Sequence, residues 1–256
     1  MKALTINDLS FSYDKVPVLE HIFLDYACHD FLAIIGPNGG GKSTLLKLML
    51  GLLTPKSGNI SIFGHTPKEA AGRIAYVPQN TNVNQSFPVT VMDVVLMGRL
   101  GQKWFGFYSK KDRLKAQEAL KRVGMERYAD ERIGELSGGQ RQRVFIARAL
   151  CGEAELLMMD EPTASIDTEG QIQIFDLLKS LNQDKGIIVI SHDINVVLGY
   201  ATKIAHINKR LYMHDAPQFA TQQAILKTIN ETQGHICPVE LITANTCTHH
   251  HHKDTQ

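Results

Sequence analysis

FLAIIGPNGGGKST, residues 31–44, runs from an unbroken apolar stretch through four glycines into the start of a helical pattern. The spacing is G-x4-G-K-[ST]: Gly36, then Pro37, Asn38, Gly39 and Gly40, then Gly41, Lys42 and Ser43. A phosphate chain must come close to main-chain N–H groups, and only residues without a Cβ permit that approach. The helix that follows points the positive end of its dipole at the anion. Lys42 is the candidate for the β- and γ-phosphates and Ser43 for Mg2+, while Thr44, in the first helical turn, is placed for a phosphate oxygen. Nucleotide binding at the mouth of a strand–loop–helix unit is the expectation.

Two further apolar runs, LLMM at 156–159 and IIVI at 187–190, match FLAII in character, as strands covered on both faces of a parallel sheet do. The first leads into Asp160 and Glu161 before Pro162. Successive residues leaving a strand point in opposite directions, so Asp160 is expected to face Mg2+ and Glu161 the water that attacks the γ-phosphate. Residues 1–26 and GNISIFG at 58–64 alternate apolar and polar side chains, the pattern of half-buried antiparallel strands. KSTLLKLMLGLL, SKKDRLKAQEALKRVGM and DTEGQIQIFDLLKSLNQ carry apolar residues at helical spacing. This order predicts an α/β fold, with a helical insertion over about 86–140 and a polar tail beyond about 215.

Bulk properties narrow the classes. The 256 residues suit one α/β domain with an attached subdomain. A formal net charge of +1 without a basic tract gives no electrostatic support for nucleic-acid binding. MKALTINDLS lacks an apolar leader, and no run of about 18 apolar residues occurs, so a cytosolic chain is expected. Cys28, Cys151, Cys237 and Cys247 are too scattered for a disulfide framework, so reduced thiols are expected.

LSGGQRQR, residues 136–143, resembles the signature sequence of ATP-binding cassette (ABC) ATPases. Ser137 is a good N-cap, and Gly138 and Gly139 expose N–H groups at a second helix start suited to a γ-phosphate. The resemblance implies that two subunits pack head to tail as a homodimer, with Ser137, Gly138, Gly139 and Gln140 of one closing over the ATP on the other's glycine loop. It also implies roles for four more positions: Tyr13 stacking on adenine, Gln79 contacting Mg2+ and water, Asp167 crossing the dimer interface, and His192 bonding the γ-phosphate. The implied fold is a P-loop NTPase (RecA-like) core with an N-terminal antiparallel β-subdomain and a helical signature subdomain. The implied cofactors are ATP and Mg2+. The likeness covers residues 1 to about 215, leaving 216–256 as an extension. It departs at Gly40, where Ala or Ser is commoner, and at Ser165-Ile166-Asp167, where Ala-Leu-Asp is usual.

A lone cassette without a membrane segment resembles the separate ATPase subunit of an importer, bound peripherally to the cytoplasmic face of the membrane through integral permease subunits. NTNVNQSFPVTVMDVVLMGRLG, residues 80–101, is similar to the corresponding region of metal-ion and metal-chelate importers, with Phe87, Val91, Val95 and Met97 as candidates for a permease-docking groove. Such systems include an extracytoplasmic metal-binding protein. The tail carries His235, Cys237, Cys247 and His249, His250, His251 and His252, side chains suited to zinc and other transition metals. The resemblance points to a zinc or manganese importer. Ferric-siderophore or cobalamin importers, and a soluble ABC ATPase of metal-cluster assembly, are the alternatives. Chromosome-maintenance and DNA-repair ATPases carry the same signature but insert a long coiled coil between loop and acid. Here Gly36 and Asp160 lie 124 positions apart without heptads.

Overall fold

Apolar–polar alternation near the N-terminus produces two long strands, β1 (Lys2–Tyr13) and β2 (Val16–Ala27), paired antiparallel. The chain then runs through β3 (Phe31–Ile35), α1 (Lys42–Met49), β4 (Ser57–Ile62) and β5 (Ile74–Val77) into a helical stretch, α2 (Val91–Leu96), α3 (Lys110–Arg122) and α4 (Gly138–Cys151). It returns through β6 (Leu156–Asp160), α5 (Thr168–Leu181), β7 (Gly186–Ile190), α6 (Ile194–Leu198), β8 (Lys203–Asn208) and β9 (Arg210–Asp215). These elements come from a computed structural model that describes residues 2–79, 88–102, 107–164 and 166–215. The tail histidines and cysteines, Phe87 and Ser165 lie outside the described residues.

Two sheets form. One has the strand order β2-β1-β4, and the other β5-β6-β7-β3-β8-β9, parallel except for β9. The three apolar runs seen in the sequence, β3, β6 and β7, are neighbours in its middle, and their side chains alternate between two cores. Phe31, Ala33, Ile35, Leu157, Met159, Ile187 and Val189 join the helices α2 to α6 on one side. Leu32, Ile34, Leu156, Met158, Ile188 and Ile190 join α1 and the three-stranded sheet on the other. Burial on both faces is why these strands read as unbroken apolar runs.

Between β5 and β6 the described residues form α2, a 3-10 segment Met97–Gln102, α3, short 3-10 turns at Glu126–Tyr128 and Ile133–Glu135, and α4. Thr90, Ser109 and Ser137 each cap a helix reciprocally with the residue three positions on. The buried Arg99 guanidinium ties the 3-10 segment to its neighbours, with Nε donating to Asp112 Oδ1 (3.1 Å) and Nη1 to Glu153 Oε2 (2.7 Å). Pairing on both sides is what lets a charge sit there. Val91 and Val95 correct an expectation. Both are fully buried where α2 meets α3 and α4, so they belong to the core and not to a docking groove, whereas Met97 is exposed.

Three strands are not picked out by the sequence patterns: β5, β8 and β9. β5 has only four residues, and β8 and β9 interleave polar side chains, β9 at the sheet's edge. They acquire strand structure from their neighbours.

Candidate functional site

Parallel register sets the site. Val77 of β5 lies opposite Met159, Asp160 opposite Ile190, and Ile190 opposite Ile34. The strands therefore end at one level, and the segments holding Gly36, Gln79, Glu161 and His192 leave along a common rim at their C-terminal ends, where open α/β sheets bind ligands.

The glycine loop is held from behind. Gly36 has φ +151°, and a Cβ there would lie 2.0 Å from the Ile207 carbonyl oxygen. Gly41, also left-handed, starts α1 as its N-cap with no side-chain cap hydrogen bond, so no capping side chain occupies the first N–H groups of the helix. Lys42 is 7% exposed and donates from Nζ to the carbonyls of Gly36 (2.8 Å) and Pro37 (3.0 Å), lying across the loop it serves. Gly39 has φ +80° with nothing within 4 Å of a Cβ, which marks the open side of the loop.

Gly40 acquires a reason here. A Cβ on it would sit 2.8 Å from Ile207 O and 3.0 Å from Pro37 O, while the Lys209 N–H donates to Gly40 O (3.1 Å) and Glu20 N–H to Lys209 O (2.8 Å). The β8–β9 turn thus clamps the loop more closely than Ala or Ser would tolerate. Because main-chain atoms make the contact, nothing in the sequence around Ile207 announces it. Gly40→Ala is expected to weaken binding of a fluorescent ATP analogue by about tenfold, in line with an overpacking cost of about 1–3 kcal/mol. Wild-type affinity in that titration would show that the turn yields.

At the next strands the acids converge. Ser43 Oγ, at the start of α1, donates to Asp160 Oδ2 over 3.4 Å. Burial and then the neighbouring Glu161 charge push the Asp160 carboxyl above its ordinary range, against the pull of Ser43 and Lys42. Glu161 lies just past the end of β6 in a left-handed conformation, φ +45°, with its N–H bound to Ile190 O (2.9 Å). A turn, and not strand alternation as the sequence suggested, separates the two carboxylates. A non-glycine residue held in that region stores strain, which is characteristic of functional positions. Glu161 Oε2 accepts from Gln79 Nε2 (2.7 Å) and lies 3.3 Å from His192 Nδ1. The structure thus brings Gln79, Asp160, Glu161, His192, Lys42 and Ser43 to one rim. Tyr13, at the end of β1, is 45% exposed, its ring meeting Phe11 edge-on at 5.0 Å.

The signature residues stand elsewhere. Ser137 caps α4, its Oγ accepting from Gln140 N–H (3.3 Å), while Gln140 Oε1 accepts from Ser137 N–H (2.8 Å). The Gln140 side chain, a candidate ligand by resemblance, is occupied within the cap. Ser137, Gly138 and Gly139 line an open cleft of about 420 Å3 together with Asp167, Glu169 and Gly170 at the start of α5. No residue of the glycine loop borders this cleft.

A nucleotide-binding core of the P-loop NTPase class, carrying a helical arm, is what this fold and its rim define. The chain belongs to the ABC transporter family, whose model matches residues 19–164, and it is the ATPase component. It is similar to the zinc transport system ATP-binding protein TroB of Treponema pallidum, at 42% identity over 216 residues, covering 84% of this chain and 81% of that protein. The manganese transport system ATP-binding protein MntB of Bacillus subtilis is 44% identical over 202 residues, 78% of this chain and 81% of its own length. Among solved structures, a dimeric ATP-binding cassette in a post-hydrolysis state, bound to ADP and Pi, superposes with a TM-score of 0.71 at 26% identity, covering 84% of this chain and all of that one. Cassettes of this family bind ATP or ADP, dimerise and work with membrane permeases. Among the described residues of this chain, no helix is long and apolar enough to cross a membrane.

Proposed function

We propose that this chain is the ATP-hydrolysing subunit of a membrane importer for a divalent metal ion, zinc or manganese. The observation that carries the hydrolytic reading is the Glu161 carboxylate, held by Gln79 and facing His192 beside the Ser43–Asp160 pair. The choice of cargo is supported by the relatives whose names specify zinc and manganese transport.

In this reading the main-chain N–H groups of residues 41–44 at the start of α1 and the Lys42 ammonium hold the β- and γ-phosphates, and Tyr13 stacks on the adenine. Glu161 accepts the proton of a water aligned with the γ-phosphate, and His192 donates to a γ-phosphate oxygen. Ser43, Asp160 and Gln79 suit Mg2+: they offer oxygen donors from three neighbouring segments, and burial together with the Glu161 charge leaves the Asp160 carboxylate in need of a cation. When bound, Mg2+ neutralises phosphate charge. Ser137, Gly138 and Gly139 of a second copy, packed head to tail, would close over the nucleotide, with Asp167 beside them. That arrangement accounts for a capped helix start opening on a cleft remote from the glycine loop.

Residues 1–215 form the ATPase unit in this proposal, with about 86–140 as its helical subdomain and 216–256 as an extension. The subunit sits on the cytoplasmic face of the membrane, against permease subunits served by an extracytoplasmic metal-binding protein. Recovery of the tagged chain from detergent-solubilised membranes of its source cells, followed by vesicle reconstitution, tests this. An integral membrane partner and ATP-dependent uptake of zinc or manganese are expected. Uptake of a ferric siderophore or cobalamin alone would replace the cargo, and recovery with only soluble partners would overturn the transport reading.

A further inference from the structure

Two irregularities of sequence stand four residues apart. Ile166 occupies the place where leucine is usual before Asp167, and Gly170 sits in the first turn of α5, where glycine is unfavourable. Gly170 is not among the glycines with positive φ, so backbone conformation does not require it. Space does. A Cβ built on Gly170 would lie 2.4 Å from Ile166 Cγ2 and 2.7 Å from Asp167 Oδ1.

The methyl responsible exists because isoleucine is branched at Cβ. Leucine carries no Cγ2 and would leave that volume empty. The same Ile166 Cγ2 lies 3.8 Å from a Cβ built on Gly139, in the first turn of α4. The methyl therefore faces the start of the helix capped by Ser137 as well as the start of the helix capped by Asp167, with room for one further carbon on the α4 side. Both starts border the same cleft, and the Ile166 side chain is partly buried against the main core behind them.

We propose that Ile166 is a positioning residue, a wedge that sets the spacing between the Ser137 end of α4 and the Asp167 end of α5, and that Gly170 is the vacancy it requires. The two surfaces that one protomer presents to the other's nucleotide then move as one body. Isoleucine in place of leucine and glycine in place of a helix former are a matched pair. This rests on the reading that both helix starts act across a dimer.

The test compares wild type, Gly170→Ala, Ile166→Leu and the double variant for kcat, KM for ATP and melting temperature. A glycine-to-alanine change inside a helix ordinarily stabilises, but these close approaches make a lower melting temperature the expectation even for a purely structural role, which leaves the rate of the folded protein unchanged. The wedge predicts that Gly170→Ala lowers kcat by about tenfold or more, because a displacement of about 1 Å at a catalytic surface suffices for that. KM for ATP stays the same, since the glycine loop is untouched. The double variant recovers a large part of the lost kcat, because it removes the 2.4 Å approach of the Cγ2 methyl and leaves only the 2.7 Å approach of Asp167 Oδ1, the end of a side chain that can turn. Should Gly170→Ala fail to fold, rescue of both folding and rate in the double variant still decides for the pair. A wild-type rate in Gly170→Ala, or a double variant no faster than Gly170→Ala, overturns the pairing alone. A wild-type protein that does not hydrolyse ATP overturns the functional reading beneath it.

Discussion

Glu161→Gln is expected to slow steady-state ATP hydrolysis by about a thousandfold while leaving ATP affinity nearly unchanged, within the range that a positioned general base contributes. The substitution keeps the shape of the side chain and an oxygen that can accept from Gln79, and it removes the basicity that polarises water. It also removes a negative charge from beside the site of the γ-phosphate, so the bound triphosphate is disfavoured less. The variant should therefore accumulate as an ATP-bound dimer, detectable as a doubling of mass by light scattering when ATP is added. Rapid turnover by this variant would show that another group activates the water. A strictly monomeric ATP-loaded variant, in solution and in detergent, would contradict the proposed head-to-tail closure.

Asp160→Asn separates stability from function. Burial and the Glu161 charge hold the Asp160 carboxyl above its ordinary range, so its ionised form costs the metal-free fold stability. That cost is absent below the unfolded-state value, where the group is protonated in both states, and complete above the raised folded value. At neutral pH, Asp160→Asn should consequently melt a few degrees higher than wild type without nucleotide, and the difference should vanish in acid. An asparagine can still accept the Ser43 hydroxyl proton, so the link from α1 to β6 survives. Mg2+-dependent ATP hydrolysis should nevertheless fall by about a hundredfold or more, because a carboxylate suited to a hard cation has been removed. A metal-free melting temperature below wild type at neutral pH would show that the charge is not a burden on the fold. Undiminished Mg2+-dependent activity would remove Asp160 from the metal site.

Local patterns made a large part of the site legible. Gly36 to Thr44 could be read because a phosphate loop is a short-range object: spacing, glycines and a following helix are all encoded within nine residues. Ser137 was legible as a cap for the same reason, and the structure has it capping α4 reciprocally with Gln140. Asp160 and Glu161 were legible from the apolar run before them, although the reason for their divergence was not, since a left-handed turn at Glu161 leaves no signature in residue types. Val91 and Val95 show the converse limit. Their apolar character is equally compatible with a docking face and with a core, and only the packing of α2 against α3 and α4 places them in the core.

By itself the sequence determined the strand–loop–helix unit over residues 31–49, the apolar character of β3, β6 and β7, and the identity of the acids and caps, because each is written in the residue types of one short stretch. The tertiary structure alone decided the meeting of Gln79, Glu161 and His192, the clamp of the Ile207–Lys209 backbone on Gly40, and the fit of Ile166 into the space left by Gly170. The first two depend on which strands become neighbours and in what register, and the third on side-chain volume inside a folded turn. Main-chain atoms and empty space have no letter in a sequence, and they take effect only once distant segments have packed.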